Sequence, residues 1–160
     1  MRTRYRRDRQ GRTDYRRRLT HLKSGKPRLT VRRTLNNTIV SIIAFDPDGD
    51  RVSVTVHSAT LKKSGWKHST GNIPAAYLAG YLAGKAAQEK GIGSAILDIG
   101  RTASVKGGRA FAALKGAIDA GLDVPHDQGA LPSEERIFGE HIKAHLGTDV
   151  RADVEKIIGA

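Results

Sequence analysis

The sequence predicts an α/β protein: a mixed sheet built on an antiparallel three-strand meander, helices packed on it, a basic N-terminal arm and a helical C-terminal tail. Three observations lead there. Over 28–34 and 52–57 apolar residues recur with the period of two that strands need, flanking the apolar stretch 38–45, and from position 73 onward the spacing lengthens to the helical period around one short apolar run, Ser94–Ile99. Charge is distributed unevenly. The 160 residues carry 28 Lys and Arg against 16 Asp and Glu, yet positions 1–33 hold 14 of the cations and only Asp8 and Asp14, so the whole formal excess of +12 sits there and the other residues sum to zero. The expected division is a basic arm with a short helix over 1–26, an α/β body over 27–126 and an acidic helical extension over 127–160.

Residues 1–12 contain Arg2, Arg4, Arg6, Arg7, Arg9 and Arg12 and almost nothing to bury, so alone they cannot offset their ordering entropy. Thr13 can cap a helix, Asp14 suits a first turn, Tyr15, Leu19 and Leu22 fall at i, i+4 and i+7, and Gly25 is a stop. A strand over 28–34 then places Leu29 and Val31 on a core face and Arg28, Thr30 and Arg32 on a charged one. Strands 38–45 and 52–57 flank the turn residues Asp46-Pro47-Asp48-Gly49-Asp50; the first is apolar on both faces and belongs centrally, the second alternates Val with Ser and Thr and is half buried.

Residues 61–72 read as a basic loop, and Asn72 with Pro74 opens a buried helix to about Lys90 in which Gly80 and Gly84 allow close approach of another element. The Ser94–Ile99 run reads as an interior strand. Gly107-Gly108 introduces a helix ending at Gly121, and the tail offers one helix over about 133–146 and another over 150–158.

Several chemistries are excluded. There is no Cys, hence no disulfide, thiolate zinc site or cysteine nucleophile. The arginine-rich start does not resemble a secretory signal, and the longest apolar stretch, Ile73–Gly84, falls short of the roughly 20 residues that span a bilayer, so a soluble protein is expected. His141 and His145 stand i, i+4 without a clear third ligand. Gly107-Gly108 lacks the spacing of a nucleotide loop. Asp46, Asp98 and Asp119 form a conceivable two-metal nuclease set, although Asp46 reads as a turn residue and Asp119 as a helix-end residue.

The basic arm is the strongest functional feature. Arginines draw a polyanion by counterion release and bidentate phosphate contacts, and Tyr5 and Tyr15 add stacking surface suited to RNA with unpaired bases. The alternative is a solubilising tail; a membrane surface is disfavoured because Leu19 and Leu22 make too thin an apolar face. The RNA-contact set is Arg2, Arg4, Tyr5, Arg6, Arg7, Arg9, Arg12, Tyr15, Arg16, Arg17, Lys23, Lys26, Arg28, Arg32 and Arg33, joined by Lys62, Lys63, Trp66 and Lys67 from the second basic cluster. Trp66 either presents its indole to RNA or plugs a core.

Blocks of the sequence carry more than composition. Arg12-Thr13-Asp14-Tyr15 and Leu22-Lys23-Ser24-Gly25-Lys26-Pro27-Arg28-Leu29, then Gly65-Trp66, Thr70 to Gly80, Leu97-Asp98-Ile99-Gly100 and Gly116 to His126, stand in the order found in the universal 5S rRNA-binding large-subunit ribosomal protein family, number eighteen of that subunit. The chain resembles its archaeal and eukaryotic branch. The resemblance implies a cytoplasmic ribosomal constituent that binds 5S rRNA and helps join it to 23S rRNA in the central protuberance, next to neighbouring large-subunit proteins including the other 5S-binding protein. It implies no catalysis, cofactor, membrane or small-molecule substrate, and it carries RNA contact to Arg12, Tyr15, Lys23, Lys26 and Arg28. The competing classes are a metal-dependent RNA-processing enzyme holding RNA with the arm, and an architectural binder of duplex nucleic acid.

Overall fold

The computed structural model describes residues 3–159, so Arg2 of the expected contact set lies outside the described residues. Its centre is a four-stranded mixed sheet of β1 (Arg28–Arg33), β2 (Thr38–Ala44), β3 (Arg51–His57) and β4 (Ile96–Asp98), in the order β3-β2-β1-β4. The meander forms as its alternation requires: β1 and β2 are antiparallel with Leu29 opposite Ile42 and Val31 opposite Val40, and β2 pairs antiparallel with β3 across a bulge at Ile42/Ile43. The doubly apolar β2 is interior. The Ser94–Ile99 run differs from expectation: only three residues pair, parallel to β1, and they form an edge. Ala95 of the run is buried in the core, with Leu97 and Ile99 partly buried against it, and Ser94 makes a single parallel bridge with Asp123 outside the sheet.

Beside the sheet lie α3 (Ile73–Glu89) and α4 (Arg109–Asp119). The side chain of Asn72 accepts from the Ala75 N–H at 2.8 Å, capping α3 as the Asn72-Pro74 pattern predicts. Leu29, Val31, Val40 and Ile42 are 0–1% exposed against Ala79, Ala83, Ala113, Leu114 and Ala117, each large aliphatic side chain contributing roughly 1.5–3 kcal/mol by leaving water. The two helices touch backbone to backbone. A Cβ on Gly80 would stand 1.9 Å from the Ala113 carbonyl oxygen, and one on Gly116 2.0 Å from that of Tyr77. Glycine is required there by space, which outweighs its poor helix propensity.

A second core forms on the far side of α3, where Leu61, Trp66, Ala76 and Leu78 meet Ile137, Val150, Val154 and Ile157. The tail therefore packs on the body through this cluster. The single helix expected over 133–146 is two, α5 (Glu134–Ile137) and α6 (Glu140–Leu146), because Gly139 adopts φ 76° and breaks the run; α7 (Arg151–Ile158) then closes on α3. Residues 58–64, expected in part as loop, form a 3-10 helix ended by Gly65 at φ 88°.

The opposite face of the sheet carries the arm. It begins with a four-residue helical turn, α1 (Arg6–Arg9), and continues in α2 (Tyr15–Lys23). The segment 3–12 is tied to Thr13 and Tyr15: the Arg7 Nε donates to Thr13 Oγ1 at 2.9 Å, and the Tyr5 and Tyr15 rings lie 4.9 Å apart.

Candidate nucleic-acid interface

The arm is positioned by local chemistry at both ends of α2. Asp14, rather than Thr13, is the cap: its carboxylate accepts from the backbone N–H of Arg16 and of Arg17, at 3.0 and 3.2 Å. Those bonds hold its carboxyl below the usual range. Gly25 at φ 67° terminates the segment, and Lys26-Pro27 feeds it into β1. The expected apolar stripe is thin. None of the nine residues of α2 is buried; Leu19 is 57% exposed, and Tyr15 and Leu22 are half buried.

Cations on this side divide into two groups. Arg4, Arg6, Arg7, Arg9, Arg12, Arg16, Arg17, Lys23 and Lys26 are exposed, with Tyr5 61% exposed beside them. Their strongest carboxylate tethers are weak: Arg17 lies 3.8 Å from Asp14 and Lys26 3.6 Å from Asp123, both at exposed sites where such pairs contribute little. Arg101 reaches Asp8 at 3.9 Å. The outer surface is thus a field of largely free guanidinium groups, suited to phosphate oxygens.

The second group is turned inward. Arg18 donates from Nη2 to both oxygens of Asp50 at 2.9 Å, Arg28 donates to Asp50 and to Asp98 (3.0 Å), and Arg32 reaches the same Asp98 oxygen at 3.3 Å and the Asp98 carbonyl at 2.8 Å. Arg28, on the strand face that reads as charged, is only 6% exposed: α2 and two carboxylates cover it, and its guanidinium does not face solvent. Burial would raise the Asp98 carboxyl, but the Arg32 charge, the Gly100 N–H and the Arg28 charge outweigh it and hold it below the usual carboxylate range. A cleft of about 220 Å³ lies between this network and the arm, lined by Arg7, Arg12, Arg17, His21 and Arg32 among others.

The remaining expected contacts lie elsewhere. Arg33, one residue past Arg32, has the opposite strand parity and lines a different cleft with Lys106, Arg109 and Arg136. Arg109 there is committed to the carbonyls of Thr34 and Gly71, each at 3.1 Å. Lys62, Lys63 and Lys67 are exposed on the helix side of the sheet, apart from the arm. Trp66 is 3% exposed within the second core and its Nε1–H donates to the Ser69 carbonyl at 3.1 Å, so its ring is a packing plug with no face left for a base.

The three aspartates of the nuclease alternative have separate partners. Asp46 pairs with Arg51 at 2.7 Å, Asp98 with Arg28 and Arg32, and Asp119 accepts from the Tyr77 hydroxyl and Lys115. Among the described residues no group of three or more His, Asp or Glu side chains could hold a metal ion. From sequence Asp50 reads as a turn residue and Asp98 as one of a conceivable two-metal set, so their pairing with Arg18, Arg28 and Arg32 is not foreseen. The signal for Asp98 was present: a lone carboxylate inside the apolar run Ile96-Leu97-Asp98-Ile99 demands a buried cation, and Arg28 is the candidate on the neighbouring strand.

Comparison with known proteins agrees with this architecture. The profile of a family described as ribosomal large subunit proteins 60S L5 and 50S L18 matches residues 1–93 and 85–127. The large ribosomal subunit protein uL18 of Korarchaeum cryptofilum (strain OPF8) is 54% identical over 138 residues, which cover 86% of this chain and 71% of that protein. With its basic arm, meander and close-packed helices all inside the matched region, the chain belongs to the family of ribosomal large subunit proteins 60S L5 and 50S L18.

Proposed function

We propose that this chain is a structural constituent of the large subunit of the cytoplasmic ribosome, binding 5S rRNA through its arm and helping attach it to 23S rRNA in the central protuberance beside the other 5S-binding protein. The observation that carries this reading is the separation of charge: residues 1–26 hold +9 of the formal excess, much of it as exposed arginines on α1 and α2, and the other 134 residues only +3. Arg4, Arg6, Arg7, Arg9, Arg12, Arg16, Arg17, Lys23 and Lys26 contact phosphates and set position. The exposed Tyr5 ring, backed by Tyr15, offers a stacking platform for an unpaired base. Arg28 and Arg32 hold the arm's seat, with Arg32 keeping one edge toward the cleft. Arg33, Lys62, Lys63 and Lys67 face other directions and serve a second RNA segment.

The role is binding without catalysis. A metal-dependent RNA-processing activity draws no support from aspartates already engaged by Arg, Lys and Tyr side chains. Equilibrium binding to 5S rRNA and to a length-matched duplex, across a salt series, tests the reading. Affinity for 5S rRNA should exceed that for the duplex and fall by about 0.7–0.9 log units per decade of salt for each phosphate neutralised. Equal affinity for both would instead favour an architectural duplex binder.

A further inference from the structure

We infer that Asp50 is a positioning residue that strengthens RNA binding although its charge has the wrong sign for a polyanion; this rests on the proposed binding of RNA by the arm. The starting observation is how α2 is held. With no buried residue and with Leu19 exposed, the helix has little apolar attachment to the sheet beyond the half-buried Tyr15 and Leu22. Its strong link is polar: Arg18, in the middle of α2, is gripped by both oxygens of Asp50, and the same carboxylate binds Arg28 of β1, whose side chain is 7% exposed. Asp50 stands at the end of the β2–β3 turn, so one carboxylate ties three segments: the arm helix, the first strand and the hairpin.

Removing that carboxylate would leave the Arg18 and Arg28 guanidinium groups on the same half-buried site with no charge between them. Arg28 would still have Asp98, at 3.0 Å; Arg18 would have no other carboxylate among the described residues. The body keeps its internal pair and α2 loses its seat. An arm already seated spends less conformational entropy when RNA binds. Asp50 moves that ordering into folding, which is why an acidic residue under a basic arm raises affinity.

Two physical effects then predict opposite signs for one substitution. Long-range electrostatics alone makes Asp50→Asn bind RNA more tightly, because a negative charge is removed near phosphates. Loss of seating makes it bind more weakly. The control is Asp48→Asn, two residues away in the same turn, exposed, and paired with no cation among the described residues.

The experiment uses the full chain and a 5S rRNA transcript at one fixed ionic strength, with hydrogen exchange on the free protein. Asp50→Asn should bind about fivefold more weakly, the scale of a partly buried charge-assisted pair, while Asp48→Asn binds equally or up to about twofold more tightly. In an Arg18→Met background Asp50→Asn should no longer weaken binding, since the clasp is already open. Amide exchange should speed up in α2 and stay unchanged in β2. The inference is overturned if Asp50→Asn tracks Asp48→Asn, if its loss persists in the Arg18→Met background, or if β2 exchange rises with that of α2. Failure of the unaltered protein to prefer 5S rRNA would instead overturn the functional reading, and the exchange result would still decide the clasp.

Discussion

Helices α2 and α3 sit on opposite faces of one sheet and are held by different physics. In α3 ten of seventeen residues are buried, and its contact with α4 is so close that glycine is the only residue that fits at Gly80. In α2 none of nine is buried, and its principal anchor is Arg18 on Asp50. The body is fixed by shape, through short-range forces that salt and mild acid leave alone. The arm is fixed by charge, which salt screens. A protein assembled on a polyanion gains from this division, because the part that must yield to RNA is held by interactions of the same kind that RNA offers.

The largest effect should come from the shape side. Gly80→Ala forces a methyl group into the Ala113 carbonyl and should lower unfolding free energy by about 3 kcal/mol or more, read by urea denaturation, with the salt dependence of RNA binding unchanged in the folded fraction. A mild loss would mean that α3 and α4 can separate, which would weaken the contrast.

Asp98→Asn probes the joint between the regions. It leaves the buried Arg28 with Asp50 alone and should remove about 2–4 kcal/mol of stability at neutral pH. Because the Asp98 carboxyl lies below its ordinary value of 3.8 when folded, its contribution is complete above that pH and disappears as pH falls through the lowered value. Acid titration of stability should accordingly be shallower below about pH 4 in the variant; identical curves would assign the acid loss to other carboxylates.

Trp66→Phe comes next, with a loss of about 1–2 kcal/mol from the smaller ring and the unmade bond to Ser69, and no change in RNA affinity. A selective loss of affinity would return Trp66 to the interface. Smallest is Leu19→Ala, within about 0.5 kcal/mol by thermal melting, since that side chain is mostly in water already.

Much of this division is legible from sequence. The meander, the glycine contact of α3 and the concentration of charge in the first 33 residues emerge from period, spacing and count. Strand parity placed Arg28, Thr30 and Arg32 on one face correctly, but parity says nothing about what covers a face, and the covering elements are α2, Asp50 and Asp98, the last 70 residues away. Trp66 stays open between packing and RNA contact because the core it enters includes Ile137, Val150, Val154 and Ile157, far along the chain. The break at Gly139 needed the position of Val150, whose Cβ would lie 3.0 Å from a Cβ added at that glycine. In each case the missing information is a contact between segments distant in sequence.

Binding of 5S rRNA by charge on the exposed arm, with the body holding that arm in place, is what separates the two regions. Its most direct test is the salt dependence of 5S rRNA affinity for the unaltered chain and for a variant with Arg6, Arg7 and Arg9 each replaced by Gln, all three exposed and none paired with a carboxylate among the described residues. The log–log slope should fall by about two units, the sum expected for three phosphate contacts at about 0.7 each, with the unfolding free energy the same within about 0.5 kcal/mol. An unchanged slope in a stably folded variant would contradict the claim.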